Sequence, residues 1–525
     1  MRLFKDFTGI GRRPASANSS DSHRPRPDSY RARRHRCTLG LERLEDRVAL
    51  SNFVSSNLAS FNGATGSGPR AGLIMDAQGN LYGTTDGGGA NGHGTVFELA
   101  AGSGTITTLA SFNGANGAYP EAGLIMDAQG NLYGTTSNGG ATNSGTVFEL
   151  AAGSGTITTL ASFNGANGAY PEAGLTLDAQ GNLYGTTYGG GANGHGTVFE
   201  LAAGSGTIAT LASFNGANGA YPEAGLIMDA QGNLYGTTQG GGANGRGTVF
   251  ELAAGSGTIT TLASFNGANG AYPETDLIMD AQGNLYGTTS NGGAFDDNGT
   301  VFELAAGSGT ITTLASFNGA NGHTPRAGLI MDAQGNLYGT TAMAPGAPGR
   351  GTVFELAAGS GTITTLASFN GANGVNPEAG LILDAQGNLY GTTYFGGAFG
   401  QGTVFELSPV PVAPPPVVTA FSPAAGATGV DPNNFKATVT FDQPVQIAGM
   451  GSPGNFSLHS TSGEGPAIAS GISYDSSTNT ATLTPLAPLA PLTTYRVVVS
   501  GIENAAGTPM SSPTTWTFTT GTTSD

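Results

Sequence analysis

The sequence is short of charge, of cysteine and of long apolar runs, and each shortage excludes something. Only 10% of its 525 residues are charged. Between residues 52 and 407 there is no lysine, and the arginines are Arg70, Arg246, Arg326 and Arg350, against 23 acidic residues. A span with that net −19 repels nucleic acid and anionic membrane surfaces. Cys37 stands alone, so neither an intrachain disulfide nor a Cys-based metal site can form. No stretch approaches the roughly 20 apolar residues of a membrane-spanning helix. Gly, at 89 residues, interrupts the repetitive part so often that no ordinary helix fits between the interruptions. The sole Trp, Trp516, is read as core.

What is present is repetition, the first thing to test for. LYGTT begins at Leu81, Leu132, Leu183, Leu234, Leu285, Leu337 and Leu389, with spacings of 51 or 52 residues. GTVFEL and SFNG also recur seven times. Each unit holds four short runs rich in β-branched, aliphatic and aromatic residues, bounded by Gly, Asn and Ser. In the second unit these are Leu124–Asp127, Leu132–Thr136, Thr146–Leu150 and Thr156–Phe163. DAQGN and AAGSG are the short connections, with Gly where a hairpin needs positive φ. SNGGATNSG and NGANGAYPEAG are the long ones.

Four strands per roughly 50-residue unit, seven times, is the arithmetic of a seven-bladed β-propeller. The last unit stops after Thr403–Leu407, one strand short, and Phe53–Phe61 offers a spare strand. Pairing the two closes the ring and removes an open edge; an open solenoid is the second architecture. LIMDAQGNLYGTT resembles NHL-type and related propeller repeats. The fuller pattern with GTVFEL is similar to the bacterial GloVer tandem repeat, a family that implies no particular activity.

The flanks differ. Residues 1–50 hold 12 of the 18 Lys+Arg and 6 of the 35 Asp+Glu, a net +6 that leaves −23 for the rest. The polar, Arg-rich text cannot build a core; a disordered tail, a nucleic-acid arm and a targeting leader are the readings. LERLEDRVALS, ending at Ser51, resembles a segment near the start of exported bacterial proteins. No apolar run of signal-peptide length accompanies it, even after Arg12–Arg13. Residues 408–417 read as a Pro-rich linker, residues 418–520 as a β-sandwich, and residues 521–525 as a tail. The sandwich text, from FSPAAGATGV to WTFTT, resembles the bacterial Ig-like domain of the surface-layer type, a module that implies a spacer or adhesive role.

No catalytic motif stands out. The seven aspartates from Asp76 to Asp384 each open a DAQGN turn, where a carboxylate accepts backbone N–H bonds. A carboxylate ring could attract Ca²⁺, but no EF-hand spacing exists. The seven glutamates of FEL need a partner if buried, and hydroxyl or backbone donors are the ones on offer. His93 and His195 occupy matching positions before GTVF and read as exposed loop residues. The long loop after LYGTT varies most, and loops on a rigid scaffold commonly carry binding. Neutral drift would produce the same variation. The expected ligand-binding residues are Tyr188, Tyr394, Phe395 and Phe399, with His93 and His195 as further candidates. The expectation is an exported, monomeric, non-enzymatic protein of the cell surface or matrix that binds a glycan or a surface protein. The alternative is an extracellular lyase or glycosidase with its site at the central opening. Differences scattered around the ring favour binding over catalysis.

Overall fold

A computed structural model describes residues 53–295, 297–344, 350–410, 413–446, 455–461 and 466–522. The basic leader, with Cys37 and Arg12–Arg13, lies outside the described residues.

The repeats form seven four-stranded antiparallel sheets. The second is built from Ile125–Met126, Leu132–Thr136, Thr146–Leu150 and Ile157–Ser162, in that order. Two of these strands have the bounds read from sequence. The first and last are shorter, because Asp127 leaves the ladder to make the turn and Phe163 leaves it to enter the core. A bulge between Val147 and Phe148 shifts the register against the last strand.

The core lies between sheets. Phe148 is fully buried and meets Phe112 of the preceding repeat edge-on, with ring centroids 4.9 Å apart. Such a pair contributes about 0.5–1.5 kcal/mol beyond area burial. Gly134 makes the space: a Cβ there would stand 2.8 Å from the Phe148 ring. This is why the second strand reads LYG and not LYA. Around the pair gather Val96 and Ala110 of one repeat and Leu124, Leu132, Leu150 and Ile157 of the next.

The ring closes as the sequence suggests. Phe53–Ser60 pairs antiparallel with Thr403–Pro409, from Phe53 opposite Pro409 to Ser60 opposite Thr403. Phe61 then packs on Phe97 of the first repeat, 4.9 Å away. Thr392 of the last repeat donates to the carbonyls of Pro69 and Ala71 in the first, at 3.3 and 3.4 Å. An open solenoid would leave those two repeats apart. One boundary shifts: the last propeller strand runs to Pro409, into the stretch read as linker, because Phe53–Ser60 supplies it with a partner. Pro is tolerated at such a strand end.

The C-terminal part is a sandwich. One sheet orders Val418–Ser422, Ala437–Phe441, Thr480–Pro485 and Ser470–Asp475. The other orders Ala427–Val430, Thr514–Thr520, Thr494–Val499 and Phe456–Ser460. Trp516 is buried between them and stacks on Phe421 at 4.5 Å. No helix among the described residues is long and apolar enough to cross a membrane.

Candidate functional site

The segment that enters each innermost strand determines what faces the axis. In the second repeat it reads Tyr119-Pro120-Glu121-Ala122-Gly123. Tyr119 adopts φ 58°, and the equivalent residues Tyr170, Tyr221, Tyr272, Thr324 and Asn376 lie at 53–59°. Non-glycine residues rarely adopt this conformation. Here it turns the chain so that the residue after Pro points inward. Seven such residues, Arg70, Glu121, Glu172, Glu223, Glu274, Arg326 and Glu378, line one axial cavity of about 180 Å³. Beneath them the Ala-Gly backbones close in: a Cβ on Gly72 would lie 3.6 Å from the Gly380 carbonyl. Asp276 replaces that glycine in the fifth repeat and accepts a bond from the Gly225 N–H. Its side chain borders the open space of the cavity yet is enclosed by the ring, and this burial raises its pKa.

The charges are unevenly shared. Arg70 lies 3.7 Å from Asp86, 3.5 Å from Glu121 and 3.9 Å from Glu378. Arg326 lies 3.8 Å from both Glu274 and Glu378. Among the described residues no cation stands in ion-pair range of Glu172 or Glu223. Burial, then the charge on Glu121, pushes Glu172 up to about 7. Burial, then Glu274 and Glu172, pushes Glu223 up to about 8. Burial opposes the charge on Arg70, but Glu378 and Glu121 outweigh it and hold its pKa above the ordinary value.

The first residue after LYGTT forms a second layer over this ring. Ser137 donates to Glu121 at 3.0 Å, and Gln239 and Ser290 donate to Glu274 at 3.1 and 3.3 Å. The Arg70 guanidinium sits 4.8 Å over the Tyr394 ring. Tyr188 stacks on Tyr221 at 5.1 Å, and burial followed by Glu223 and Glu172 raises its pKa.

This geometry sorts the residues expected from sequence. Tyr188 and Tyr394 come to the axial mouth, half-buried rather than projecting from loops. Phe395 packs against Tyr394 at 4.3 Å and Phe399 is 61% exposed; none of the four aromatic residues lines the cavity itself. His93 and His195 are not free loop residues. Each packs edge-on against the tyrosine of the next repeat, Tyr119 at 5.9 Å and Tyr221 at 5.5 Å. Neither Nδ1 has a hydrogen-bond partner. Two of the differing positions, the Glu/Arg position and the first loop residue, converge on the axis, whereas the other described differences of the variable loop stay outside the cavity lining. Sequence reading passed over the Glu/Arg position, although Pro-Arg-Ala-Gly among copies of Pro-Glu-Ala-Gly was visible.

The other repeated carboxylates stand in the framework. Asp127 Oδ1 accepts the N–H groups of Gln129 and Asn131, both at 2.9 Å. Its Oδ2 accepts from Asn131 Nδ2 at 2.8 Å. The Tyr133 hydroxyl, 3.0 Å from that oxygen and 3.3 Å from Glu149, supplies the hydroxyl donor expected for the buried-side glutamates. Among the described residues no group of three His, Cys, Asp or Glu side chains is placed to hold a metal ion.

The fold and site define a seven-sheet repeat propeller with a mixed-charge axial mouth, followed by an Ig-like sandwich. The chain belongs to the Gloeobacter/Verrucomicrobia repeat family, whose model matches residues 47–181, 177–344 and 283–455. The bacterial Ig-like domain model matches residues 412–520. No curated protein matches the chain. Solved structures with detectable likeness include the extracellular domain of BT4673 from B. thetaiotaomicron, at 12% identity over 86% of this chain and 56% of that one, TM-score 0.43. Polysaccharide lyase Uly1 matches at 10% identity over 65% and 90%, TM-score 0.41. The N-terminal part of the bacterial S-layer protein SbsC matches at 28% identity over 21% and 24%, TM-score 0.17. The chain thus spans less than two thirds of the length of the first and the last.

Proposed function

We propose that the protein is an exported, non-enzymatic binding protein of the cell surface or extracellular matrix, and that the axial mouth receives its ligand, a glycan or a surface protein. One observation carries this reading. In repeats that are otherwise near-copies, the positions from Arg70 to Glu378, which change chemistry, line one cavity, and several residues of the position from Asp86 to Tyr394 contact them. Concave sites with a few convergent polar groups and perturbed carboxylates are where ligands bind. The bacterial Ig-like domain supports a surface or exported setting.

The second reading is an extracellular lyase or glycosidase. Glu172 and Glu223, pushed up to about 7 and about 8, have the acidity of general acids at neutral pH. Against it, no histidine lines the cavity among the described residues, and the ring glutamates are equivalent copies rather than one distinct acid and one distinct nucleophile.

Co-sedimentation of the full chain with insoluble polysaccharides and with bacterial cell envelopes, with and without Ca²⁺, tests the proposal. Saturable retention without release of soluble sugar is expected. Absence of retention on every material contradicts it, and release of soluble sugar moves the assignment to the enzyme.

A further inference from the structure

The mouth has two unlike arcs. In repeats six, seven and one, Arg326 and Arg70 flank Glu378 and reach outward to Glu274 and Glu121 at the ends of the other arc. In repeats two to five, the ring residue is always Glu, and the residue before its proline is always Tyr: Tyr119, Tyr170, Tyr221 and Tyr272. The turn itself does not require an aromatic ring, because Gly68, Thr324 and Asn376 make it with the same positive φ in the other arc. Nor does the core: Tyr119, Tyr170 and Tyr272 remain 39%, 42% and 37% exposed. A rare backbone conformation thus places a tyrosine two residues before each ring glutamate of this arc, and the middle two glutamates, Glu172 after Tyr170 and Glu223 after Tyr221, have no cation in ion-pair range among the described residues. Tyr188, stacked on Tyr221, adds a further ring beside Glu172 and Glu223.

We infer that this Tyr-Pro-Glu arc docks an amine-bearing glycan, a chain of repeating sugars with free amino groups. The inference rests on the reading of the axial mouth as a binding site. Charge complementarity selects the amine: Glu172 and Glu223 face the cavity with no cation in ion-pair range among the described residues, and an ammonium group supplies one. Its charge pulls their raised pKa values back down, so that each releases its proton and holds the amine as a carboxylate. The tyrosines select the sugar. Their faces offer broad apolar area at little entropic cost, and ammonium groups are also attracted to aromatic faces. Four consecutive near-identical units suit a polymer of identical residues better than a single small molecule.

The test uses the full chain and three hexamers at one pH near 6.5: β-1,4-linked glucosamine, its N-acetylated counterpart, and the neutral glucose hexamer. Calorimetry is expected to give the glucosamine hexamer an affinity at least about tenfold tighter than the other two, weakening as salt rises. Glu172→Gln with Glu223→Gln should bring the three within about twofold of one another. Tyr170→Asn, which places in repeat three the residue type of Asn376, should weaken all of them. Thermal melting identifies any variant that fails to fold. Equal affinity, or preference for the acetylated or neutral hexamer, overturns the amine assignment and leaves the binding reading standing. Tighter binding of a lysine-rich peptide than of any hexamer also overturns it. If no hexamer binds and no polysaccharide or envelope retains the protein, both fall.

Discussion

The Tyr394 hydroxyl of the last repeat donates a hydrogen bond to Asp86 of the first, 3.2 Å away and 308 residues earlier in the chain. The contact lies on the seam where the ring closes, and it joins two copies of one variable position, the first residue after LYGTT, in the adjoining last and first repeats. The seam is therefore both the stability problem of this fold and a wall of its candidate site.

Closure should be energetically visible. Phe61 is fully buried at the seam, and Phe61→Ala is expected to cost about 3–5 kcal/mol. Deleting Asn52–Phe61 should do more, leaving Thr403–Pro409 as an unpaired edge that invites aggregation. Denaturant unfolding and solubility measurements check this. Unchanged behaviour of the deletion would disprove the closed ring.

The axial carboxylates should make stability depend on pH. A carboxylate with a raised folded pKa is held more firmly when protonated. Its contribution is complete below the ordinary glutamate value, near 4.5, and is lost as pH rises through the folded value. For Glu172 and Glu223 the loss builds from near 4.5 and is complete above about 7 and about 8. Melting temperature is therefore expected to fall between pH values on either side of this window. Glu172→Gln with Glu223→Gln should flatten the profile, and an identical slope in that variant would refute the assignment.

The turn aspartates should behave as framework. Asp127→Ala removes the acceptor for two N–H groups, Asn131 Nδ2 and the Tyr133 hydroxyl, and is expected to cost about 1–3 kcal/mol. With their oxygens so engaged, these turns offer Ca²⁺ little. Millimolar Ca²⁺ should shift the melting temperature by no more than about 1 °C. A larger, saturable rise would mean that the aspartates bind the ion instead.

Gly134 should resist substitution for reasons of space alone. Gly134→Ala brings a methyl against the Phe148 ring and is expected to cost about 1–3 kcal/mol. Phe148→Leu in the same chain should recover part of that loss, which a backbone effect would not allow.

Much of the fold was legible because it is written seven times. Leu132–Thr136 and Thr146–Leu150 could be read to the residue, since runs of β-branched, aliphatic and aromatic residues end there at Gly-rich boundaries. The offset between Phe53–Phe61 and the final repeat announced the closure. The site was less legible. Both long loops lie on one face, and variation marks out the loop after LYGTT, whose first residue alone reaches the mouth. Glu121 and its equivalents repeat so regularly that they resembled framework. Only the three-dimensional turn at Tyr119 reveals that they converge on the axis. His93 and His195 looked free because sequence cannot show that the tyrosine of the next repeat covers them.

A saturation isotherm of the full chain on bacterial cell envelopes tests the central claim most directly. It should be repeated for Glu172→Gln with Glu223→Gln, and for Phe395→Ala with Phe399→Ala. The axial assignment predicts saturable retention that weakens about tenfold in the first variant and stays unchanged in the second. Retention that survives the axial pair and disappears with the loop pair would contradict it and return the site to the outer loops.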